Sequence, residues 1–324
     1  MTVQPLVLRA GRRRLSGPPY TFPAAAPWHV PVPCVTPAPD GTNHVIHPDV
    51  VDFGPTLRWR GWRYWMAVTP FSGRINAKEN PSILVSQNGF NWQPPSGLTN
   101  PVYAAPPPPQ FHSDTDLSYD PESDSLVMLF RRQAKDGHQQ LFIARSPDGS
   151  RWPAIPQQLN MPALPGTQQV ASPAFVRRGH NDWWLFGVNP DLLKVSVYQA
   201  TSPESAWTGP TYAATWALTL KPWHIDVIHD GTAFRALVDC GPEYKGYADG
   251  YVAGSSVDGV TWTWAAAAFM DLLPAPRWDD QELYRATLQP HEDGLHYRVW
   301  YSALTADNPQ IGYTMIPKTV WPSV

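Results

Sequence analysis

One short phrase recurs four times along the 324-residue chain at nearly even spacing. In its full form a serine is followed by two residues, the second of them Asn or Asp, then by glycine, and by tryptophan three residues later. The serines lie 60, 56 and 54 residues apart. A repeat of this length is typical of the four-stranded blades of a β-propeller. The four copies are Ser86–Trp92, Ser146–Trp152, Ser202–Trp207 and Ser256–Trp262.

The residues of this phrase predict a tight turn followed by an anchored strand. Asn-Gly or Asp-Gly adopts the positive φ angles of a hairpin turn, and the tryptophan fixes the outgoing strand in an apolar layer. The third copy, Ser202–Trp207, has no glycine and is one residue shorter. Three complete copies still predict a repeated blade.

A second repeat, offset from the first, marks the opening strand of each blade. Its five copies start 67, 58, 52 and 60 residues apart, and each is followed by an apolar, aromatic-rich segment. We therefore predict an all-β fold, a five-bladed β-propeller over residues 44–324 with an extended N-terminal arm. The opening segments are His47–Val51, Asp114–Ser118, Ser172–Val176, His224–Ile228 and Tyr284–Leu288.

The composition supports this fold and excludes several classes of function. Sixteen Trp, 13 Tyr and 11 Phe supply a core, and 38 Pro and 22 Gly indicate many turns. A net charge of −3 gives no reason to expect nucleic-acid binding. We find no stretch of membrane-spanning length and no apolar run of a secretory signal near Met1. We therefore expect no membrane insertion and, unless the chain is carried on a particle, a cytoplasmic location.

Residues 1–43 differ in composition from the rest of the chain, and their proline-rich segments cannot form regular helices. We predict that this arm either packs along the propeller and helps to close the ring, or docks the domain onto a larger assembly. The two cysteines, Cys34 and Cys240, are too few for a disulfide scaffold and are expected to be buried thiols. If they paired, the bond would join the arm to blade four.

Polar residues at the first and third positions of the opening strands predict a binding site. These strands line the channel of a propeller, so their first residues converge at its mouth. In the alternative interpretation, some carboxylates only hydrogen-bond neighbouring strand ends. The same imidazoles and carboxylates are competent metal ligands, and a Ca²⁺ ion in the central channel is the form that we favour, although no local spacing requires a metal. The residues are His47, Asp49, Asp114, Asp116, His224, Asp226 and Tyr284.

The layout resembles the five-bladed propeller glycoside hydrolases, the arabinanase, β-xylosidase and invertase group, over nearly the whole propeller. The resemblance implies a base or nucleophile in blade one, an aspartate that tunes the acid in blade two, and an acidic glutamate in blade three. Asp114 matches the tuning aspartate. His47 stands at the position of the base and Ala171 at that of the acid, so the catalytic pair implied by the resemblance is broken.

Other carboxylates offer replacements for the missing pair. Asp49 is a candidate base. Glu79 and Glu282, each close to the start of a strand, are candidate acids, and solvated loop ends are the alternative interpretation of both.

Cationic and aromatic residues near the mouth are candidates for contacts with a sugar. Arg285 could clamp a sugar carboxylate or phosphate, with a structural ion pair as the alternative. Trp223 and Trp278, together with Tyr284, could stack on sugar rings, with core packing as the alternative.

Two functions from different classes follow from these patterns. The broken pair favours a glycan-recognising propeller. The opening phrases also look like those of propeller domains in phage tail and baseplate proteins, which implies a virion component that binds host cell-envelope polysaccharide and attaches to other tail or baseplate proteins through its arm. The alternative is an active glycoside hydrolase with a rearranged carboxylate pair drawn from Asp114, Asp49 and Glu79.

Overall fold

Five antiparallel sheets follow one another along the chain, which confirms the predicted all-β, five-bladed propeller. No helix that is described is long and apolar enough to cross a membrane. The computed structural model describes residues 31–162, 170–189, 192–213, 220–241, 250–266, 268–270, 278–279, 281–305 and 308–324.

Each blade is a sheet of sequential strands joined by hairpins. Short 3-10 turns are formed by Ser72–Arg74, Asn76–Lys78 and Lys318–Val320. The strands are β2 (Val45–Asp52), β3 (Tyr64–Pro70) and β4 (Ser82–Ser86) in blade one; β5 (Phe111–Asp120), β6 (Ser125–Gln133), β7 (Gln139–Ser146) and β8 (Gln157–Gln158) in blade two; β9 (Ala171–Gly179), β10 (Asp182–Asn189), β11 (Lys194–Ala200) and β12 (Thr208–Tyr212) in blade three; β13 (Lys221–His229), β14 (Phe234–Gly241), β15 (Gly250–Ser256) and β16 (Thr263–Trp264) in blade four; and β17 (Glu282–Pro290), β18 (His296–Thr305), β19 (Asn308–Pro317) and β1 (Val32–Pro33) in blade five.

Blade five contains strands from both ends of the described chain. β1 lies on the outer edge of this blade and pairs antiparallel with β19, with Val32 opposite Tyr313. The described part of the arm thus helps to close the ring, because it ties the start of the propeller to its last blade. Residues 1–30 of the arm lie outside the described residues.

The repeated phrase forms the turn between the third strand of a blade and the outer segment that follows it. In all three complete copies the serine Oγ accepts a hydrogen bond from the glycine N–H, and the tryptophan indole donates to the glycine carbonyl at 3.0 Å. The glycines have φ angles of 79°, 75° and 76°, a region that favours glycine. Serine, glycine and tryptophan therefore recur together because each one completes the same hydrogen-bonded turn.

The turn glycines also allow neighbouring blades to approach closely. A Cβ atom on Gly149 would lie 2.0 Å from the Trp65 ring of blade one, and one on Gly259 would lie 2.5 Å from the Trp184 ring of blade three. By strand register, blade two carries Val127 where blades one and three carry these tryptophans. The turn of blade three, which follows blade two, therefore has no tryptophan to accommodate, and this is consistent with its lack of glycine.

Apolar residues of neighbouring blades pack together to form the core. Trp184 and Phe186 of blade three, for example, contact Phe234 of blade four. Cys34 and Cys240 are both buried thiols, as predicted.

The aspartate in the blade-four turn makes stability depend on pH. The backbone N–H of Thr261 lowers the pKa of Asp258 to about 2, against the effect of burial and with help from the N–H of Val260. An unfolded aspartate has a pKa of about 3.9. Because the folded pKa is the lower one, the ionised carboxylate stabilises the fold above about pH 4, and this contribution is lost as the pH falls towards about 2.

We expect Asp258→Asn to lower the free energy of unfolding at pH 7 but not at pH 2. The variant keeps an acceptor oxygen, as Asn88 does in the blade-one turn, so it removes the charge with little change of shape. Urea denaturation of both proteins across this pH range measures the difference between their free energies of unfolding. A difference that does not change with pH would contradict the lowered pKa of Asp258.

Candidate active site

A β-bulge interrupts the pairing of every opening strand near the mouth of the channel. A bulge can re-aim a side chain, and bulges are over-represented next to active sites. His47, Asp114 and Ser172, in three of these bulges, have left-handed φ angles of 55°, 48° and 49°, which are uncommon for residues other than glycine. The register shifts lie at Ile46/Asp49, Ser113/Asp116, Ala171/Ala174, Pro222/His224 and Leu283/Ala286.

Three of the predicted residues meet at one point beside these bulges. Nε2 of His47 lies 3.1 Å from Oδ1 of Asp114, and Nε2 of His224 lies 3.7 Å from the same oxygen. All three residues are at least 97% buried. Within the described chain, Nε2 of His47 and Oδ1 of Asp114 have no hydrogen-bond partner. Unpartnered buried polar atoms are costly, and these three side chains lie close enough together to be candidate ligands of a divalent cation.

Side chains of the second strands fix the orientation of both imidazoles. Oδ2 of Asp239 lies 2.8 Å from Nδ1 of His224, and Oδ1 of Asp239 accepts from the His224 backbone N–H. Oγ1 of Thr69 lies 2.8 Å from Nδ1 of His47. The Asp239 carboxylate can only accept, so it selects the tautomer of His224 that leaves Nε2 free for a metal ion. Nδ1 of His47 also meets the backbone N–H of Asp114 at 3.3 Å, so its contacts fix the direction of that ring and not its tautomer. Both rings therefore direct Nε2 towards Asp114.

The local charges favour the protonation states that bind a cation. Burial lowers the pKa of His47 well below its usual value, although the Asp114 carboxylate opposes this. Burial acts to raise the pKa of Asp114, but Arg131 and the two imidazoles outweigh it and lower that pKa. Nε of Arg131 lies 2.5 Å from Oδ2 of Asp114, on the side away from the orphaned oxygen. A neutral imidazole and an ionised carboxylate are the forms that ligate metals.

Glu79 reaches the same cluster from the turn ahead of β4. Its side chain is buried, and Oε2 lies 3.6 Å from Nδ1 of His47. Burial, followed by the Asp114 carboxylate, raises the pKa of Glu79 well above its usual value, against the opposing charge of Arg131. Glu79 was a candidate acid with a solvated loop end as the alternative, and the structure buries its side chain beside His47. A carboxyl group with a raised pKa is suited to exchanging a proton.

Tyr284 covers the cluster from blade five. Its ring centroid lies 4.1 Å from that of His224 and 5.3 Å from that of His47. The indole N–H of Trp223 donates to the Tyr284 oxygen at 3.4 Å. Burial, more than any neighbouring charge, raises the pKa of Tyr284 well above its usual value, so its hydroxyl stays protonated. That hydroxyl is a hydrogen-bond donor beside the candidate metal ligands.

Asp49, Asp116 and Asp226 form a second layer deeper in the channel. Asp49 accepts from the backbone N–H of Leu117 at 2.6 Å, and Asp226 accepts from that of Leu288 at 3.0 Å. Burial raises the pKa of all three, that of Asp226 to about 7. Each bond ties one blade to the next, which is the structural use that the sequence analysis gave as the alternative. The predicted base Asp49 is thus engaged in structural hydrogen bonds.

Arg285 supplies a positive charge to this deeper layer. Its side chain is fully buried, and Nη2 donates to Oδ2 of Asp116 and to the carbonyl of Pro173, both at 2.9 Å. These bonds form the structural ion pair that was given as the alternative. Nε and Nη1 of Arg285 are buried without a hydrogen-bond partner among the described residues, so the clamp for an anion stays a prediction. The guanidinium also stands beside the three carboxylates. The Ca²⁺ predicted for the central channel was not assigned to this layer or to the histidines alone.

The opening strand of blade five is offset by one residue from the predicted alignment. Leu288 donates its N–H to Asp226 as Leu117 donates to Asp49, and Thr287 donates its hydroxyl to Asp49 at 2.9 Å. Thr287, rather than Ala286, therefore lies at the level of the aspartates. Sequence spacing missed this because bulges shift register locally.

Two further candidates have specific neighbours that are not members of the cluster. Glu282 is buried at the start of β17, and its Oε2 accepts from Nη2 of Arg74 at 2.6 Å. Trp278 packs against the ring of Tyr301 at 5.4 Å and over Gly312. Trp278 therefore takes part in the packing of blade five, which was the alternative interpretation, and its contact with a ligand stays a prediction.

The sequence analysis missed the supporting residues Thr69, Arg131 and Asp239. All three lie on second strands, opposite or beside the bulges of the opening strands. The sequence does mark Asp239 as unusual, because it is a lone acid in the apolar segment Leu237–Cys240. Strand pairing was needed to show which imidazole it meets.

Comparison with known proteins gives one similar curated sequence and many similar folds. No protein-family model matches the chain. The A type blood N-acetyl-α-D-galactosamine deacetylase of Flavonifractor plautii is 29% identical, over 82% of this chain and 40% of that protein. The chain therefore spans about two fifths of the length of this relative.

Solved structures with a similar fold include enzymes of two kinds. An N-acetylgalactosamine deacetylase from F. plautii, in complex with blood group B trisaccharide, has a TM-score of 0.77 at 24% identity, covering 90% of this chain and 95% of that one. An exo-β-1,3-galactanase from Phanerochaete chrysosporium has a TM-score of 0.59 at 11% identity, covering 89% and 64%. A thermostable family-43 glycoside hydrolase has a TM-score of 0.59 at 12% identity, covering 85% and 89%. These similarities establish the five-bladed propeller fold that the chain shares with them.

Proposed function

We propose that this chain is a metal-dependent hydrolase that removes an acyl group, in the first instance the acetyl group of an N-acetylated sugar, from a glycan. The observation that carries the proposal is the buried cluster of His47, Asp114 and His224, in which Nε2 of His47 and Oδ1 of Asp114 are unpartnered and the far nitrogen of His224 meets a carboxylate. Two imidazoles and one carboxylate form a ligand set that leaves positions open for water and substrate.

The proposed chemistry divides between the cation and the residues around it. A divalent ion held by these three side chains would polarise the acyl carbonyl and lower the pKa of water. Water adds to the carbonyl carbon, the bond to nitrogen breaks, and acetate and a free amine result. A divalent ion beside His47 would favour the ionised form of Glu79, which then accepts the proton from water and passes it to the leaving nitrogen. The Tyr284 hydroxyl donates to the oxygen that gains charge.

In the part of the chain that the structure describes, no carboxylate pair of the expected kind is found, and this argues against the hydrolysis of glycosidic bonds. That reaction needs two carboxyl groups that flank the scissile bond. Ala171 stands at the position of the acid, and both oxygens of Asp49 are held by Thr287 and Leu117. The similarity to a deacetylase supports acyl transfer to water instead. An enzyme is thus favoured over the pure recognition module that the sequence analysis preferred.

Attachment to a bacteriophage tail or baseplate, and a place in the virion, stay predictions of the sequence. Within the arm, residues 32–33 form strand β1 of blade five. Any docking of the module through its arm would therefore depend on the residues that precede this strand.

Release of acetate from a defined glycan tests the proposed function. We expect the purified protein to release acetate and expose free amine from an oligosaccharide that ends in N-acetylgalactosamine. Dialysis against a chelator should abolish the release, and separate additions of Zn²⁺, Mn²⁺ and Ca²⁺ should show which ion restores it. New reducing ends without acetate would instead support a glycosidase, and retention of the glycan without either product would support a recognition module.

A further inference from the structure

An ion pair crosses the seam between the first and last blades at the mouth of the channel. Arg74 lies in the 3-10 turn that follows β3, and Glu282 is the first residue of β17. Nη2 of Arg74 lies 2.6 Å from Oε2 of Glu282. β17 continues from Glu282 to Tyr284, which covers the cluster of His47 and His224. The ion pair therefore stands on the approach to the candidate active site.

The two members of this pair differ in exposure. The Glu282 side chain is 6% exposed, whereas that of Arg74 is 36% exposed. A guanidinium carries five N–H donors in a planar fork, and the bond to Glu282 uses one of them. Glu282 therefore fixes the direction of Arg74, and the partly exposed guanidinium can present further donors to a ligand.

Adjacent hydroxyl groups of a sugar ring match this arrangement chemically. One hydroxyl can accept from the guanidinium while its neighbour donates to the carboxylate, so an ion pair whose two members lie side by side can bind both. Trp223 flanks Tyr284 on the blade-four side and offers an aromatic surface on which a sugar ring can stack. Small acyl compounds carry no such pair of hydroxyls.

We propose that Arg74 and Glu282 form a sugar subsite at the mouth of the channel, which binds adjacent ring hydroxyls of the glycan and sets a preference for sugar-borne acyl groups over small acyl compounds. This subsite rests on the proposed function of the neighbouring cluster. Arg74 and Glu282 hold the substrate, and they take no part in the proton transfers assigned to Glu79 and Tyr284.

The test compares Arg74→Ala with a matched variant, Arg60→Ala. Arg60 also forms a partly exposed ion pair between two blades, with Nη2 2.6 Å from Oδ2 of Asp124, but it lies in the β2–β3 connection of blade one, at the other end of β3 from Arg74. Each protein is assayed with an N-acetylgalactosamine-ended oligosaccharide and with p-nitrophenyl acetate. Thermal melting of each variant separates effects on folding from effects on binding.

We expect Arg74→Ala to raise KM for the oligosaccharide at least about tenfold, the effect of losing a hydrogen bond to a charged group, with a much smaller change in kcat. The ratio of kcat/KM for the oligosaccharide to that for the ester should fall by a similar factor. Arg74→Lys, which keeps the charge but loses the fork, should recover part of the loss, and Arg60→Ala should leave the ratio unchanged. An unchanged ratio in Arg74→Ala would overturn the subsite.

Failure of the proposed function and failure of the subsite give different results. If the unmodified protein hydrolyses neither compound, the proposed function fails, and the subsite is tested by calorimetric titration with the deacetylated oligosaccharide. Weaker binding by Arg74→Ala than by Arg60→Ala would then support the subsite. Equal binding by the two variants would overturn it.

Discussion

Replacing His224 with alanine is expected to remove both the bound divalent ion and the hydrolysis of the glycan. His224 supplies one of three candidate ligand atoms, and its orientation is fixed by Asp239. Loss of a residue that only supports a ligand typically costs 10- to 100-fold in metal affinity or activity. Loss of the ligand itself should therefore lower activity more than about 100-fold. Metal content by mass spectrometry and the rate of acetate release measure the two effects.

His229 provides the matched control for this prediction. It lies on the same strand, β13, but it lines the cavity of about 190 Å³ at the opposite end of the channel. Its ring packs against Phe234 at 5.0 Å. His229→Ala should keep the ion and most of the activity. If both variants behaved alike, the effect would come from damage to blade four and not from the proposed ligand.

Gly149→Ala is expected to destabilise the propeller by about 3 kcal/mol. A left-handed backbone costs a residue with a Cβ atom about 1–2 kcal/mol, and overpacking of a tight core costs a further 1–3 kcal/mol or so. Gly149 has a φ of 75°, and a Cβ atom there would lie 2.0 Å from the Trp65 ring, which is 99% buried. Neither blade can move without opening the interface. Urea denaturation gives the free energy of unfolding.

Gly294→Ala separates the backbone cost of Gly149→Ala from its packing cost. Gly294 has nearly the same φ, 73°, but a Cβ atom there would meet no heavy atom within 4 Å. This variant should lose only the backbone term, about 1–2 kcal/mol. Equal losses at the two glycines would contradict the close approach of the blade-two turn to Trp65.

The fold could be predicted from the sequence because its repeating unit is local. Ser256, Gly259 and Trp262 lie within seven residues and bond to one another, so the order of residue types alone identifies the turn. The degenerate third turn could be placed by spacing but not explained. Its explanation depends on Val127, which precedes it by more than seventy residues and lies at the register position of Trp65 and Trp184.

The residues of the candidate site could be predicted better than their grouping. The opening strands identified His47, Asp114 and His224, but also the aspartates of the deeper layer, because residues two apart on a strand share a face. Which of these meet depends on the bulges, and sequence alone does not place a bulge. The bulge in β17 also places Thr287, and not Ala286, beside the aspartates of the deeper layer. It buries the Arg285 side chain, which reaches Asp116.

The charge pattern explains why the two layers differ in function. In the deeper layer the Arg285 guanidinium already pairs with Asp116, and backbone N–H groups satisfy Asp49 and Asp226. At the mouth, Arg131 pairs with Oδ2 of Asp114, and Oδ1 is left without a hydrogen bond among the described residues. A cation is therefore expected at the mouth and not in the deeper layer.

Anomalous X-ray diffraction from crystals of the protein that carry the activating ion tests the central claim most directly. The account predicts one strong peak within bonding distance of Nε2 of His47, Nε2 of His224 and Oδ1 of Asp114, about 2.0–2.2 Å for Zn²⁺ and about 2.3–2.6 Å for Ca²⁺. A peak among Asp49, Asp116 and Asp226 instead, or no peak at the mouth in active protein, would contradict it.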